Sequence, residues 1–161
     1  MVRSNTYSKK ALQYFEKPRN FGRIKNASGI GKVGNLACGD VMKLYIKVTK
    51  NKKEEDYIKD IKIETFGCVA AIATSGLTAD LAKGKTINKA LKITAQTVAK
   101  IIGGLPQIKI HCSLLATDAL AEAIYDYLKK FKKPIPSSLL KKHKDIERRN
   151  KILEERYKDL E

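Results

Sequence analysis

The chain has 161 residues, 43% of them hydrophobic, which is enough for one ordinary domain with a buried core. No run approaches the ~18–20 continuous apolar residues that a membrane span needs, so a membrane-embedded role is not expected. The 33 Lys and Arg against 17 Asp and Glu give a net charge of +16. The excess is spread over the chain, with 21 basic against 11 acidic residues in 1–128 and 12 against 6 in 129–161.

A basic surface attracts acidic proteins, nucleic acids or anionic membranes. No RNP-type aromatic motif and no C-x2-C zinc-finger spacing accompanies the charge here, so nucleic acid is not the expected partner. The first residues, Met1-Val2-Arg3-Ser4-Asn5, lack the apolar core of a signal peptide. Three cysteines, an odd number without an export signal, argue against a disulfide framework and for a soluble, cytoplasmic protein with reduced thiols.

Residues 7–17 read as a helix, capped by Thr6 or Ser8 and stopped by Pro18. Residues 18–37 are rich in Gly, Asn and Arg and predict an irregular segment with one strand near Lys32–Leu36. Met42, Leu44, Ile46 and Val48 then alternate with Lys43, Tyr45, Lys47 and Thr49, the pattern of a half-buried strand. A charged turn over 50–56 leads to a second alternation in 57–66, marked by Ile61 and Ile63, so the two strands form an antiparallel hairpin. From residue 69 the period becomes helical through Val69, Ile72, Ala73, Leu77 and Ala79, until Gly84 ends the run. Residues 86–103 read as one or two short helices closing at Gly103-Gly104, and Pro106 keeps 105–109 extended.

A third strong helix packs Leu115, Ala119, Leu120, Ala123, Ile124, Tyr127 and Leu128, with Asp118, Glu122 and Asp126 expected to point outward. After Pro134 and Pro136, Ser137 or Ser138 caps a final helix of about twenty residues. Its stripe of Leu139, His143, Ile146, Asn150, Leu153, Tyr157 and Leu160 is heptad-like and suits docking on the domain or on a partner; His143 reads as structural. Strands first and helices later predict an α+β fold, with helices packed on one face of a small antiparallel sheet and an extra C-terminal helix. The chain divides into a domain over 1–133 and a basic helical extension over 134–161.

Each cysteine falls at a junction between elements: Cys38 before the first clear strand, Cys68 between a strand and a helix, and Cys112 at the start of the third helix. Filler cysteines usually lie on the apolar face of an element instead. Helix N-termini suit thiolates, because exposed N–H groups and the helix dipole stabilise negative charge. Three thiolates with Asp40 and His111 nearby satisfy a four-coordinate metal. Soft sulfur selects zinc, copper(I) or iron–sulfur clusters over magnesium or calcium. An all-cysteine cluster needs four thiolates, so the fourth ligand falls to Asp40 or His111. A carboxylate oxygen is a poorer partner for iron–sulfide than a thiolate, which suits a cluster that is handed on.

The motifs themselves are distinctive. Residues 34–44, Gly-Asn-Leu-Ala-Cys-Gly-Asp-Val-Met-Lys-Leu, resemble the first cysteine motif of the IscU/NifU-type iron–sulfur cluster assembly scaffolds. Residues 65–75, Thr-Phe-Gly-Cys-Val-Ala-Ala-Ile-Ala-Thr-Ser, resemble the second, and residues 105–113, Leu-Pro-Gln-Ile-Lys-Ile-His-Cys-Ser, the third. Lys17-Pro18-Arg19-Asn20-Phe21-Gly22 is similar to the family's N-terminal segment, and the resemblance runs from about Tyr7 to Lys130.

The resemblance implies a three-stranded antiparallel sheet covered on one side by helices, with the cysteines meeting at one end. It implies that Cys38, Cys68 and Cys112 ligate a 2Fe–2S cluster, or zinc in the resting protein, with Asp40 and His111 supplying or exchanging the remaining coordination. Cys112 would accept sulfur as a persulfide from a cysteine desulfurase, with Lys109 tuning its thiolate. Tyr7 matches a position linked to self-association, hence a homo-oligomer. Leu105, Pro106, Gln107, Ile108 and Lys109 match the segment gripped by a DnaK-class chaperone, although Gln107 replaces a second proline. The remaining partners would be apo iron–sulfur acceptor proteins. Arg19 and Asn20 are expected to steady the first segment rather than do chemistry.

The resemblance thus points to a scaffold rather than a turnover catalyst. The alternative is a zinc-stabilised module that binds nucleic acid or protein. A cysteine-nucleophile enzyme built on His111 and Cys112 fits less well, because adjacent helical residues point about 100° apart.

Overall fold

The computed structural model describes residues 7–34, 41–65, 67–103, 105 and 111–158, with the side chains of His111 and Tyr157 outside that description. Helix α1 spans Lys9–Glu16 and is followed by the strands β1 (Gly29–Gly34), β2 (Val41–Lys50) and β3 (Asp56–Thr65). Then come the helices α2 (Val69–Ala82), α3 (Ile87–Ala90), α4 (Ala95–Ile102), α5 (His111–Lys130) and α6 (Ser137–Lys158). The strands form one antiparallel sheet in the order β1-β2-β3, and the expected α+β architecture is observed.

In β2, Met42, Leu44 and Ile46 are fully buried beneath the helices as expected, whereas Tyr45, expected on the open face, is also buried and Val48 is only half-buried. In β3 the buried residues are Ile58, Ile61 and Ile63, and the break in period at Ile58 has a local cause. The register slips between Lys47 and Val48, so that Lys47 faces Asp60 while Val48 faces Ile58. The extra residue is a β-bulge, which returns Ile58 to the buried face.

The first strand begins at Gly29 rather than near Lys32, which corrects the sequence expectation. Val33 is its buried apolar side chain, and at the other two buried positions, Gly29 and Gly31, close approach of the backbone takes the place of a side chain. A Cβ on Gly29 or Gly31 would collide with the backbone carbonyls of Ala123 and Ala119 in α5. These glycines let the longest core helix lie directly on β1.

Helix α2 carries small and apolar residues around most of its circumference and buries ten of its fourteen residues, as a central helix must. With α5 it covers the sheet, and α1 and α4 pack outside it through Ala11, Ala73, Leu77, Val98 and Ile102. Its end at Gly84 (φ +83°) and the end of α4 at Gly103 (φ +80°) use left-handed residues, as the sequence suggested. Ser8, Thr86 and Thr94 cap α1, α3 and α4.

Helix α6 docks on α5 and β1. Leu139 and Ile146 enter the main core at 4% and 1% exposure. Two of the three acidic residues expected to face solvent from α5, Asp118 and Glu122, lie under this helix instead, while Asp126 stays partly exposed beside Lys130. Asp118 is 2% exposed, with Arg149 Nη2 at 2.8 Å and Lys142 Nζ at 3.4 Å. Glu122 accepts from His143 Nδ1 at 2.8 Å, and the His143 ring stacks on Tyr125 at 3.6 Å. Burial raises the Glu122 carboxyl above its ordinary range, against the opposing hydrogen bond and charge of His143. The polar face of α5 was therefore a docking face, and the tail supplies the counter-charges.

Candidate functional site

Sheet and helices bring their chemistry to one end of the fold. Gly34 at the end of β1 pairs with Val41 at the start of β2, and Met42 pairs with Thr65 at the end of β3. The chain therefore leaves the sheet toward Cys68 beside the two residues that flank 35–40. Cys38 and Asp40 belong to that segment and lie outside the described residues, as do Pro106, Gln107, Ile108 and Lys109.

Cys68 and Cys112 are described, and the fold brings them together. Cys68 is the N-cap of α2, with extended backbone (φ −75°, ψ −180°) that turns the chain from β3 into the helix. Cys112 is the second residue of α5, directly after His111. The two sulfurs stand 3.9 Å apart across 44 residues of sequence. This is well beyond the ~2.05 Å of a disulfide bond. It is close to the ~3.8 Å that separates two sulfurs held about 2.3 Å from one tetrahedral metal. Both sit at helix N-termini, where unsatisfied N–H groups complement negative charge. The donor set and its spacing fit a shared soft metal ion or iron–sulfide centre. Among the described residues, no group of three His, Cys, Asp or Glu side chains is placed to hold a metal.

Cys112 is fully buried, whereas Cys68 is half-buried. Cys112 forms a small cluster with Ala70 and Ala71, and Tyr7, Leu105 and Cys68 pack against it. The N-terminal aromatic and the residue that opens the third motif thus both contact the thiol cluster.

Two polar groups that the sequence reading passed over tie this region down. Thr74 is fully buried in α2, and its hydroxyl reaches the carbonyl of Cys112 at 3.2 Å. Its signal was the set of Thr74, Ser75 and Thr78 within a helix rich in alanine. Asp80, farther along α2, accepts from Tyr14 Oη at 2.7 Å and Asn20 Nδ2 at 2.8 Å, and pairs with Arg19 at 3.2 Å. Arg19 and Asn20 therefore anchor the first segment, as expected. Asn20 takes a left-handed backbone (φ +64°) that asparagine tolerates.

Comparison with known proteins gives a consistent result. Residues 6–134 match the model of the family described as the NifU-like N terminal domain. The iron–sulfur cluster assembly scaffold protein IscU 1 of Archaeoglobus fulgidus is 56% identical over 124 residues, covering 77% of this chain and 78% of that protein. The IscU scaffold protein of Aquifex aeolicus is 45% identical over 124 residues, covering 77% of each chain. Among solved structures, a putative iron–sulfur cluster assembly scaffold protein for the SUF system from Fervidobacterium islandicum superposes with a TM-score of 0.58. It is 26% identical and covers 73% of this chain and 96% of its own.

Proposed function

Because this chain belongs to the NifU-like N-terminal domain family, we propose that it is a scaffold on which an iron–sulfur cluster is assembled and from which it is passed to acceptor proteins. The observation that carries the reading is the 3.9 Å spacing of the Cys68 and Cys112 sulfurs at two helix N-termini, which suits two ligands of one tetrahedral iron. Cys38 supplies the third thiolate of a 2Fe–2S cluster. Asp40 or His111 completes the set with a harder, more easily exchanged atom. Zinc fills the same donors in the resting protein. The core over 1–133 does this work, and 134–161 is an extension.

Sulfur arrives by transfer to Cys112. The Cys112 thiolate attacks the outer sulfur of a desulfurase persulfide, a new S–S bond forms, and the desulfurase cysteine leaves as thiolate. A two-electron reductant then releases sulfide to iron. Lys109 favours the attacking thiolate. Cys112 is fully buried in a cluster with Ala70 and Ala71 against which Tyr7 and Leu105 pack, so this step requires the cluster to open. That links the Tyr7 segment to self-association, and residues 105–109 to a DnaK-class chaperone, as handles on the site. No described helix is long and apolar enough to cross a membrane, and cytoplasmic assembly is the setting proposed.

The test is anaerobic reconstitution with iron, cysteine and a cysteine desulfurase, followed by visible absorption, metal analysis and addition of apo-ferredoxin. A sulfide-to-iron chromophore that moves to the ferredoxin is expected. One tightly held zinc, no chromophore and no transfer would overturn the reading in favour of a zinc-stabilised binding module.

A further inference from the structure

Helix α6 lies wholly beyond the matched family residues 6–134, yet its second half meets the sheet beside the thiol-bearing end. Asn150 makes the decisive contact. Its Nδ2 donates to the Lys32 carbonyl at 2.9 Å, and the Gly34 N–H donates to its Oδ1 at 3.3 Å. One donor and one acceptor, met two residues apart on an open strand edge, imitate a missing neighbouring strand. Farther along the same edge, the Ile30 N–H donates to Asp126 Oδ2 at 2.9 Å. Ile30, Lys32 and Gly34 are alternate residues, so their main-chain groups face the same way.

The contact falls at a particular place. Gly34 and Val41 are cross-strand partners, and between them the chain carries Cys38 and Asp40. A cleft of about 140 Å³ is bounded by Val33, Gly34 and Val41 from the sheet and by Asn150, Leu153 and Glu154 from α6. Both residues that flank the segment therefore adjoin this helix. The helix is held independently by Leu139, Ile146 and the Arg149–Asp118 pair, so Asn150 is presented from a fixed base.

We infer that Asn150 is a positioning residue for the metal site: by pinning Lys32 and Gly34 it fixes the strand end from which the chain runs on to Cys38 and Asp40. A ligand presented from a fixed strand end loses less freedom on binding its metal. What the site holds rests on the scaffold reading; the pinning itself does not.

The experiment compares wild type with Asn150→Ala and Asn150→Asp. Asp keeps an acceptor for the Gly34 N–H. In metal-free protein, Asn150→Ala should speed amide exchange at Gly34 about five- to tenfold, as expected for one lost hydrogen bond, with the Leu120 and Ile124 amides unchanged. Peptide-resolved alkylation should accelerate at Cys38 relative to Cys68 and Cys112. Reconstituted cluster should be lost about three- to tenfold faster at an unchanged denaturation midpoint. Asn150→Asp should restore slow Gly34 exchange and most of the cluster lifetime. Unchanged Gly34 exchange in Asn150→Ala overturns the pinning. Faster Gly34 exchange with wild-type Cys38 alkylation and cluster lifetime overturns its reach to the site. If wild type itself takes up no cluster, the scaffold reading fails while Gly34 exchange and Cys38 alkylation still decide the inference.

Discussion

Thr74 in α2 is hydrogen-bonded to the backbone carbonyl of Cys112 in α5, and its hydroxyl proton is shared with the carbonyl of Ala70 in its own helix at 2.7 Å. It is a direct polar tie between the two helices whose first turns present the paired thiols. Thr74→Val keeps the shape and removes the tie. Stability should fall by about 1 kcal/mol, and reconstituted cluster should decay a few-fold faster. Thr74→Ser should restore both. Urea denaturation and the decay of visible absorbance give the two readings. Wild-type behaviour of the Val variant in both would show that the sulfur spacing is set by packing alone.

Gly31, with Gly29, is where the backbone of the sheet comes close to that of α5. An added Cβ would stand 2.5 Å from the Ala123 nitrogen and nearer still to the Ala119 carbonyl, and neither backbone atom can swing away. Gly31→Ala should force α5 off β1 and cost about 3 kcal/mol, a fall of roughly 6–12 °C in Tm. A thermal melt within about 2 °C of wild type would mean that the helix slides freely over the strand.

The Tyr14 hydroxyl gives a pH signature. Burial, then its hydrogen bond to Asp80 and the charge of that carboxylate, push its pKa from 10.0 up to about 12, against the opposing effect of Arg19. The folded protein therefore keeps this proton after the unfolded chain has released it. The resulting stability is complete below pH 10.0 and is lost as pH climbs to about 12. The stability difference between wild type and Tyr14→Phe should be flat up to pH 10 and shrink above it. Denaturation curves for both proteins across that range would reveal it. A constant difference would place the hydroxyl in contact with solvent.

The sequence pattern led to some of these relationships and not to others, for physical reasons. Buried alternation in β2 and the caps and glycine stops of the helices are local, and a single chain displays them. So are the cysteine motifs. β1 was misplaced because Gly29 and Gly31 bury no side chain; their role is visible only once α5 lies against them. Asp118 and Glu122 looked solvent-facing because they match the polar face of an amphipathic helix, and only the docked α6 reveals their partners. The 3.9 Å between Cys68 and Cys112 is likewise tertiary, since no spacing rule joins residues 44 apart. His143 and Asn150 are polar breaks in the heptad stripe, and both make polar contacts that dock α6, beside the pairing of Arg149 and Lys142 with Asp118.

Asp40 offers the clearest test of why the cluster should be transferable. With three cysteines in the chain, at least one coordination position must be filled by oxygen or nitrogen. A carboxylate is the harder donor and the poorer match for iron–sulfide, so a bond through Asp40 would be where coordination opens first. On the proposed ligand set, Asp40→Ala removes that donor and would leave three thiolates with His111, whose imidazole nitrogen suits iron better. Cluster loss to apo-ferredoxin should therefore slow, by about tenfold if the exchange of donors is worth ~1.4 kcal/mol. Cys68→Ser removes a thiolate instead and should leave no stable cluster. Reconstituting both variants beside wild type and following the sulfide-to-iron absorbance checks the pair. Slower transfer in Asp40→Ala assigns the lability to the oxygen ligand. Equal or faster transfer moves it to the opening of the buried cluster around Cys112.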